Sequence, residues 1–393
     1  MERLLRKSKR KSNHVKEKHK RAIFHSIRWE ERLIILLGHR GTGKTTLMLQ
    51  HLKANDNKAI YLSLDDFFFE TNRLVEIVDA LYESGYRAFY LDEVHRYLNW
   101  SKDLKQVYDD YDDIQLIVTG SSILDISKGS ADLSRRAVVY HLQGLSFREY
   151  LLFEKDLDLP SVTLEEVLDS HQELASSLSD HFPWEQEFKN YLKYGYYPFY
   201  KEGKQNYFGK LQHSAHLVID SDITPFEGLN YTTVRTLKKL LFVISQTAPF
   251  TPNISKLSER LETPRNTVLR LLDILAQAKL IQLIKSGTKG VSYLQKPEKI
   301  YLENTNLIHL FAQDKPNIGS LRETFFLNQL AYKHHVTSSK FGDFMVDQRY
   351  TFEVGGPSKT LRQIKGVPLS YLAIDSKSGT GKSIPLWLFG FLY

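Results

Sequence analysis

Short apolar runs recur through the first 142 residues, and most of the stretches between them repeat their apolar positions every three or four residues. Arg32–Leu37, Ala59–Leu64, Ala88–Leu91, Gln115–Thr119 and Ala137–Leu142 show little polar alternation, as strands buried on both faces of a parallel sheet do. Thr45–Lys53, with Leu47, Leu49 and Leu52, reads as a helix. Thr71–Glu83, with Leu74, Ile77, Val78 and Leu81, reads as another, and Trp100–Asp110 as a third. Strands alternating with helices predict an α/β fold around a parallel sheet.

Beyond Lys155 the pattern is mixed and mostly helical as far as Ser221. Leu237, Leu240, Leu241 and Ile244 then mark one amphipathic helix, and Ile254–Leu261 a second. Thr263 is placed to cap a third helix, with Pro264 at its first position and Val268, Leu271, Leu272 and Leu275 on its buried side. Leu280–Ile284 and Lys299–Leu302 supply two strands, so the region predicts a winged helix-turn-helix. The closing apolar run Ile384–Tyr393 reads as a buried strand. The domains expected are a basic arm (1–28), a nucleotide-binding core (29–155), a helical lid or linker (156–228), the winged helix (229–312) and a C-terminal α/β domain (313–393).

The chain has 393 residues, 42% hydrophobic and 25% charged, as ordinary globular proteins do. It has no cysteine, which excludes disulfides, thiolate zinc sites and a cysteine nucleophile and fits a reducing cytoplasm. No apolar segment reaches the roughly 18–20 residues of a membrane span, so no membrane association is expected. Residues 1–21 hold ten Lys/Arg and two Glu, a balance of +8 against +7 for the whole chain. The basicity therefore belongs to the arm, which suits either a nucleic acid, an anionic membrane surface or a solvated tail. The tyrosine-rich stretch Tyr191–Tyr200 suits either base stacking or a packed core, and core packing is preferred.

Between the first strand and the first helix stands Gly38-His39-Arg40-Gly41-Thr42-Gly43-Lys44-Thr45, which meets every fixed position of the phosphate-cradling P-loop. Its glycines allow successive N–H groups to turn inward around an anion, and the following helix aims its positive end at the same place. Lys44 is suited to the β- and γ-phosphates and Thr45 to Mg²⁺, with Gly38, Gly41, Thr42, Gly43 and Thr46 completing the cradle. The run Ala88–Leu91 delivers Asp92-Glu93 at its tip, the Walker B arrangement: Asp92 for Mg²⁺ and Glu93 for the attacking water. Thr119 and Ser121 close the next strand and are candidate γ-phosphate sensors, or simply small residues of a turn. Arg135 and Arg136 precede the last strand, either to reach a neighbouring subunit's nucleotide or to form surface ion pairs. A second glycine-rich stretch, Gly379-Thr380-Gly381-Lys382-Ser383, has Ser376 where the first glycine is needed and Pro385 where a helix should run, so it reads as a loop.

The series GHRGTGKTT, FYLDEVHRYLNW, QLIVTGSS, ADLSRRAVVYHLQGLSFREYLLF and YLKYGYYPFY resembles a prokaryotic family of AAA-type P-loop ATPases, related to the archaeal ATPases, with a winged helix and a restriction-endonuclease-like C-terminal domain. The resemblance implies the AAA sheet order, ATP as ligand with Mg²⁺, and possible assembly of like subunits. In a DNA-binding winged helix the third helix would present Arg265, Asn266, Thr267 and Arg270, joined by Lys285 and Lys289 of the wing; a protein-docking role is the alternative. The nuclease-like pattern maps onto Glu323, Asp343 and Glu353, but Gly355 stands where the catalytic lysine belongs, so a degenerate nuclease fold, weak or inactive, is expected. The function expected is ATP hydrolysis coupled to engagement of double-stranded DNA or a protein. Alternatives are a nucleotide-gated docking switch with little turnover and an ATP-regulated nuclease.

Overall fold

A computed structural model describes residues 1–55, 58–121, 133, 135–286, 296–312 and 315–393; the side chains of 225 and 226 are not described. Lys289 lies outside the described residues. The chain divides into two compact units, Met1–Gln143 and Gly144–Tyr393.

In the first unit the elements run α1 (Glu2–His14), β1 (Leu33–Gly38), α2 (Lys44–Ala54), β2 (Ala59–Ser63), α3 (Phe68–Thr71), α4 (Leu74–Glu83), β3 (Ala88–Asp92), α5 (Trp100–Asp110), β4 (Gln115–Ser121) and β5 (Val138–Leu142). The strands form one five-stranded parallel sheet in the order β2-β3-β4-β1-β5. β1 sits between β4 and β5, and Leu33–Leu37 are at most 2% exposed. Each such leucine or isoleucine contributes roughly 1.5–3 kcal/mol by leaving water, which is why this stretch reads as unbroken apolar sequence. In a parallel sheet all strands end on the same side, so Gly38, Ser63, Asp92 and Ser121 finish at one edge.

The basic arm is not a solvated tail. Residues 2–14 form α1, with Leu4 and Ser8 buried, and it covers the exposed edge of β2: the Tyr61 backbone N–H donates to Ser8 Oγ at 2.9 Å. An open strand edge is a liability that a helix removes. Arg21 is buried too, donating to the Thr42 and Gln143 carbonyls at 2.9 Å each.

The second unit opens with α6 (Phe147–Lys155). Next come α7 (Leu164–Ser179), α8 (Trp184–Asn190), α9 (Tyr207–Leu217), α10 (Thr224–Glu227), α11 (Tyr231–Thr247), α12 (Ile254–Arg260), α13 (Arg265–Gln277), the antiparallel pair β6 (Ile281–Ile284) and β7 (Lys299–Leu302), α14 (Thr305–Phe311) and α15 (Ile318–Leu330). A last sheet, β12-β11-β10-β9-β8, contains β8 (Val336–Ser338), β9 (Phe344–Val346), β10 (Tyr350–Gly355), β11 (Ser370–Ile374) and β12 (Ser383–Pro385). The lid, winged-helix and C-terminal segments distinguished by sequence therefore pack as one unit.

The tyrosine-rich stretch is core. Tyr191, Tyr196, Tyr197 and Tyr200 are at most 2% exposed, and the Tyr191 ring lies 5.5 Å from Phe147 and 5.9 Å from Phe325. Gly195 is required by this packing, since a Cβ there would stand 2.4 Å from Tyr191 Cδ2 and 2.8 Å from Tyr150 Cδ2.

Two local expectations change. Pro264, not Thr263, occupies the N-cap of α13, because Thr263 offers its carbonyl to Ser258 Oγ at 2.6 Å. The closing run is buried as expected, but only Ser383–Pro385 is strand; Leu386–Phe391 is a 3-10 turn, since proline ends the ladder. Among the described residues no helix is long and apolar enough to cross a membrane.

Candidate nucleotide site

The loop joining β1 to α2 has the backbone that its glycines allow. Gly41 and Gly43 hold φ of 85° and 96°, where a side chain is strained. At Gly38 the constraint is space, for a Cβ would stand 2.4 Å from the Leu142 carbonyl oxygen of β5. Thr42, wholly buried, closes the turn by donating to the His39 carbonyl at 2.8 Å, while Arg21 holds the Thr42 carbonyl from below. The loop is therefore held by several contacts, and α2 begins directly after it at Lys44.

Lys44 is 5% exposed, and its Nζ donates to the carbonyls of Gly38 at 2.9 Å and His39 at 3.2 Å. The ammonium thus rests on the loop's own oxygens, which places it against the cradle that an anion would fill. Thr45 Oγ1, at the next position, lies 3.0 Å from both carboxylate oxygens of Asp92. Thr46 is exposed.

Asp92 ends β3, and it is 4% exposed. Besides Thr45, it accepts from the Thr119 hydroxyl of β4 and from the Tyr61 hydroxyl of β2 at 2.8 Å. Burial pushes its carboxyl up from the ordinary range, the neighbouring Glu93 charge adds to this, and the three hydroxyls oppose it. A buried carboxylate surrounded by hydroxyl donors is suited to a hard cation such as Mg²⁺. Glu93 has φ 55°; its N–H donates to Thr119 Oγ1 at 3.1 Å, and its Oε2 lies 3.3 Å from His95 Nε2. It lines a cavity of about 610 Å³ with Arg40, Asp65, Glu70, Arg96 and Asn99. Ser121 is buried at the end of β4, paired in register with Gly38.

The structure therefore brings together Gly38, Gly41, Thr42, Gly43, Lys44, Thr45, Asp92, Glu93, Thr119 and Ser121 at one sheet edge. It does not bring Arg135 and Arg136 there. β5 runs parallel to β1 with Val138 beside Ile34 and Leu142 beside Gly38, so the two arginines precede the strand at the opposite edge. Arg136 pairs with Asp109 through Nε at 2.8 Å and Nη2 at 3.0 Å, the surface ion pair that was the alternative reading, while Arg135 is exposed. Tyr61, Arg21 and His95 went unrecognised in the sequence. Nothing in an apolar run marks Tyr61; only the β2–β3 register, with Ser63 beside Asp92, turns its hydroxyl to the carboxylate.

In the second unit Arg265 and Asn266 are exposed at the start of α13 and Thr267 is half-buried. Arg270 and Lys285 are exposed or nearly so, but each faces an acid: Glu227 at 3.0 Å and Asp273 at 3.9 Å. Elsewhere, Lys299 Nζ lies 2.6 Å from Glu323 and 3.9 Å from Asp343, and Tyr301 also donates to Glu323. Burial first, then the charges of Glu323 and Glu353, raise the Asp343 carboxyl to about 6. The lysine missing from the Glu353 motif is replaced in space, because Lys359 Nζ pairs with Glu353. Gly355 makes room for that lysine, since a Cβ there would stand 2.7 Å from Lys359 Cγ. Both ammoniums already take the carboxylates, and among the described residues no group of three acidic or imidazole side chains has metal-binding spacing. The second glycine-rich stretch is a turn bridging Thr380 and Ser383.

Residues 30–151 match the AAA domain family. A relative, an uncharacterized protein of Methanocaldococcus jannaschii, is 28% identical over 289 residues, covering 69% of this chain and 60% of its own length. The chain thus spans about 60% of the curated relative it matches. Among solved structures, the Thermotoga maritima RuvB Holliday junction branch migration motor is 16% identical, with 70% of this chain and 88% of that one covered at a TM-score of 0.28. The Aeropyrum pernix Orc1 protein in complex with DNA is 12% identical, with 78% and 92% covered at a TM-score of 0.31. Overlaps this slight bear on neither mechanism nor partners.

Proposed function

With an AAA domain at residues 30–151 as premise, we propose that this chain binds ATP with Mg²⁺ and hydrolyses it. The observation that carries the reading is the contact of Thr45 Oγ1 with both oxygens of Asp92 at 3.0 Å, next in the chain to the buried Lys44 and a loop whose Gly41 and Gly43 hold positive φ. Thr45 and Asp92 would hold Mg²⁺, which when bound would supply positive charge to offset that of the phosphates. The amides of Gly41–Thr45 and the Lys44 ammonium bind the phosphate chain, the lysine exchanging its carbonyl partners for phosphate oxygens. Glu93 orients the water that attacks the γ-phosphorus in line and accepts its proton while the bond to the β-phosphate oxygen breaks and ADP leaves, and Thr119, bonded to both Asp92 and the Glu93 N–H, keeps the two acids in register.

Nucleotide state then alters how the second unit engages a partner through α13, where Arg265 and Asn266 present free polar side chains to double-stranded DNA. Protein docking by the same helix is the competing reading, and association of like subunits would let Arg135 reach a neighbour's nucleotide. The carboxylates at 323, 343 and 353 do not form a working nuclease, because Glu323 and Glu353 are already paired with Lys299 and Lys359.

Lys44→Ala should lower ATP affinity, read by a fluorescent nucleotide, by at least about tenfold, as loss of a charge-assisted contact to phosphate does. Glu93→Gln should keep the affinity and lose turnover. Unchanged binding and hydrolysis in both variants would discard the reading.

A further inference from the structure

The N-terminal helix divides its cations between two faces. Arg3 and Lys7 turn to Asp66, Lys7 Nζ at 2.8 Å, and these ion pairs help fasten α1 to the sheet. Arg6 and Lys9 face the other way, into a cleft of about 590 Å³ whose far wall carries Lys53 from α2 and Lys58 at the approach to β2. Asn13 and Asn55 add amide groups. Among the described residues that line it, none is acidic. Lys53 pairs with Glu17 at 2.7 Å and Arg6 lies 3.7 Å from Glu2, but Lys9 and Lys58 have no ion pair among the described residues.

Cations gathered round a concavity repel one another, and such a surface is complementary to a polyanion. The shape selects among polyanions. An anionic bilayer is flat and is held by amphipathic helices through apolar anchors, whereas Leu4 of α1 is buried against its own domain and Leu5 lines the cleft rather than projecting from it. A chain of phosphates needs regularly spaced cations along a groove: Arg6 and Lys9 are one helical turn apart, roughly 5–6 Å, and Lys53 and Lys58 face them across it. We infer that this cleft binds the sugar–phosphate backbone of a nucleic acid, without regard to its sequence. The contact is separate from α13 and does not rest on ATP hydrolysis, so either reading can fail without the other.

The test uses the full chain, with fluorescein-labelled duplex and single strands of roughly 20 nucleotides followed by anisotropy between about 50 and 200 mM salt. If four cations neutralise four phosphates, duplex affinity should fall with a log–log slope of about −3.6, near 150-fold over that range. Lys9→Glu with Lys58→Glu should weaken binding at low salt by at least about tenfold and flatten the slope to about −1.8, whatever the sequence of the strand. Lys9→Gln with Lys58→Gln, milder for folding, should flatten the slope likewise, and far-UV circular dichroism with a melting curve checks that each variant is folded. Affinity and slope unchanged in the folded glutamine pair would overturn the inference. So would loss of binding only in Arg265→Glu, or tighter retention on phosphatidylserine vesicles or polyglutamate than on either nucleic acid.

Discussion

Tyr61→Phe is the sharpest probe of the nucleotide site, because it removes one oxygen and leaves the strand intact. Tyr61 is 3% exposed, and its hydroxyl donates to Asp92 Oδ2 at 2.8 Å. Asp92 is 4% exposed, and burial already raises its proton affinity, so each hydroxyl on it offsets part of that desolvation. A hydrogen bond to a charged acceptor is worth about 1.5–3 kcal/mol, and the aromatic volume is conserved, so no cavity term is added. The unliganded variant should therefore lose about 1.5–3 kcal/mol of unfolding free energy in urea, discounted to the extent that Thr45 and Thr119 take up the slack. The functional consequence is separate. Partners that orient a metal ligand typically contribute about 10- to 100-fold to metal affinity. The Mg²⁺ concentration for half-maximal ATP hydrolysis should rise by about that factor, while KM for ATP at saturating Mg²⁺ stays within about threefold. A variant with wild-type Mg²⁺ dependence and wild-type urea midpoint would show that Tyr61 does not hold Asp92, and the account of the carboxylate's surroundings would be wrong.

Glu303 offers a pH test in the second unit. It is 2% exposed, Oε2 has no hydrogen-bond partner among the described residues, and burial raises its carboxyl from 4.5 to about 7. The folded state holds it neutral while the unfolded chain ionises, so stability is full below pH 4.5, falls as pH rises towards 7 and levels off above it. Glu303→Gln should be more stable than the parent at pH 8, by up to about 3 kcal/mol at about 1.36 kcal/mol per pH unit, and nearly equal at pH 4; an equal difference at both would refute the buried-acid account. In the last domain, supercoiled plasmid with Mg²⁺ or Mn²⁺ should stay intact with the parent and with Asp343→Ala alike. Nicking by the parent that the variant loses would show that Lys299 and Lys359 leave the carboxylates free to act.

Much of the proposed nucleotide site was legible because it is local. A glycine loop, a lysine and a hydroxyl act through the backbone within eight consecutive residues, and Asp92-Glu93 ends an apolar run long enough to be a buried strand. The same holds for α11, α12 and α13, whose apolar spacing marked them within a few residues. The misreadings have a common cause. Charge density made residues 1–21 look like a tail, but Leu4 and Ser8 meet the open edge of β2, and nothing near them in the chain shows that edge. Gly355 interrupts a local Glu-x-Lys pattern, yet the turn after β10 brings Lys359 to Glu353.

By itself the sequence determined the strands β1–β5 with most of the helices between them, the helices α11–α13, a glycine-rich loop between β1 and α2, and two acids at the end of a neighbouring strand, since periodicity, glycine freedom and strand ends are properties of adjacent residues. Only the tertiary structure decided that Tyr61 and Thr119 serve Asp92, that Arg136 faces Asp109 at the far edge, and that α1 and β2 enclose a cationic cleft. These depend on strand order and register, which join residues tens of positions apart, and the burial of side chains on a sheet's edge and faces sets them rather than any short motif.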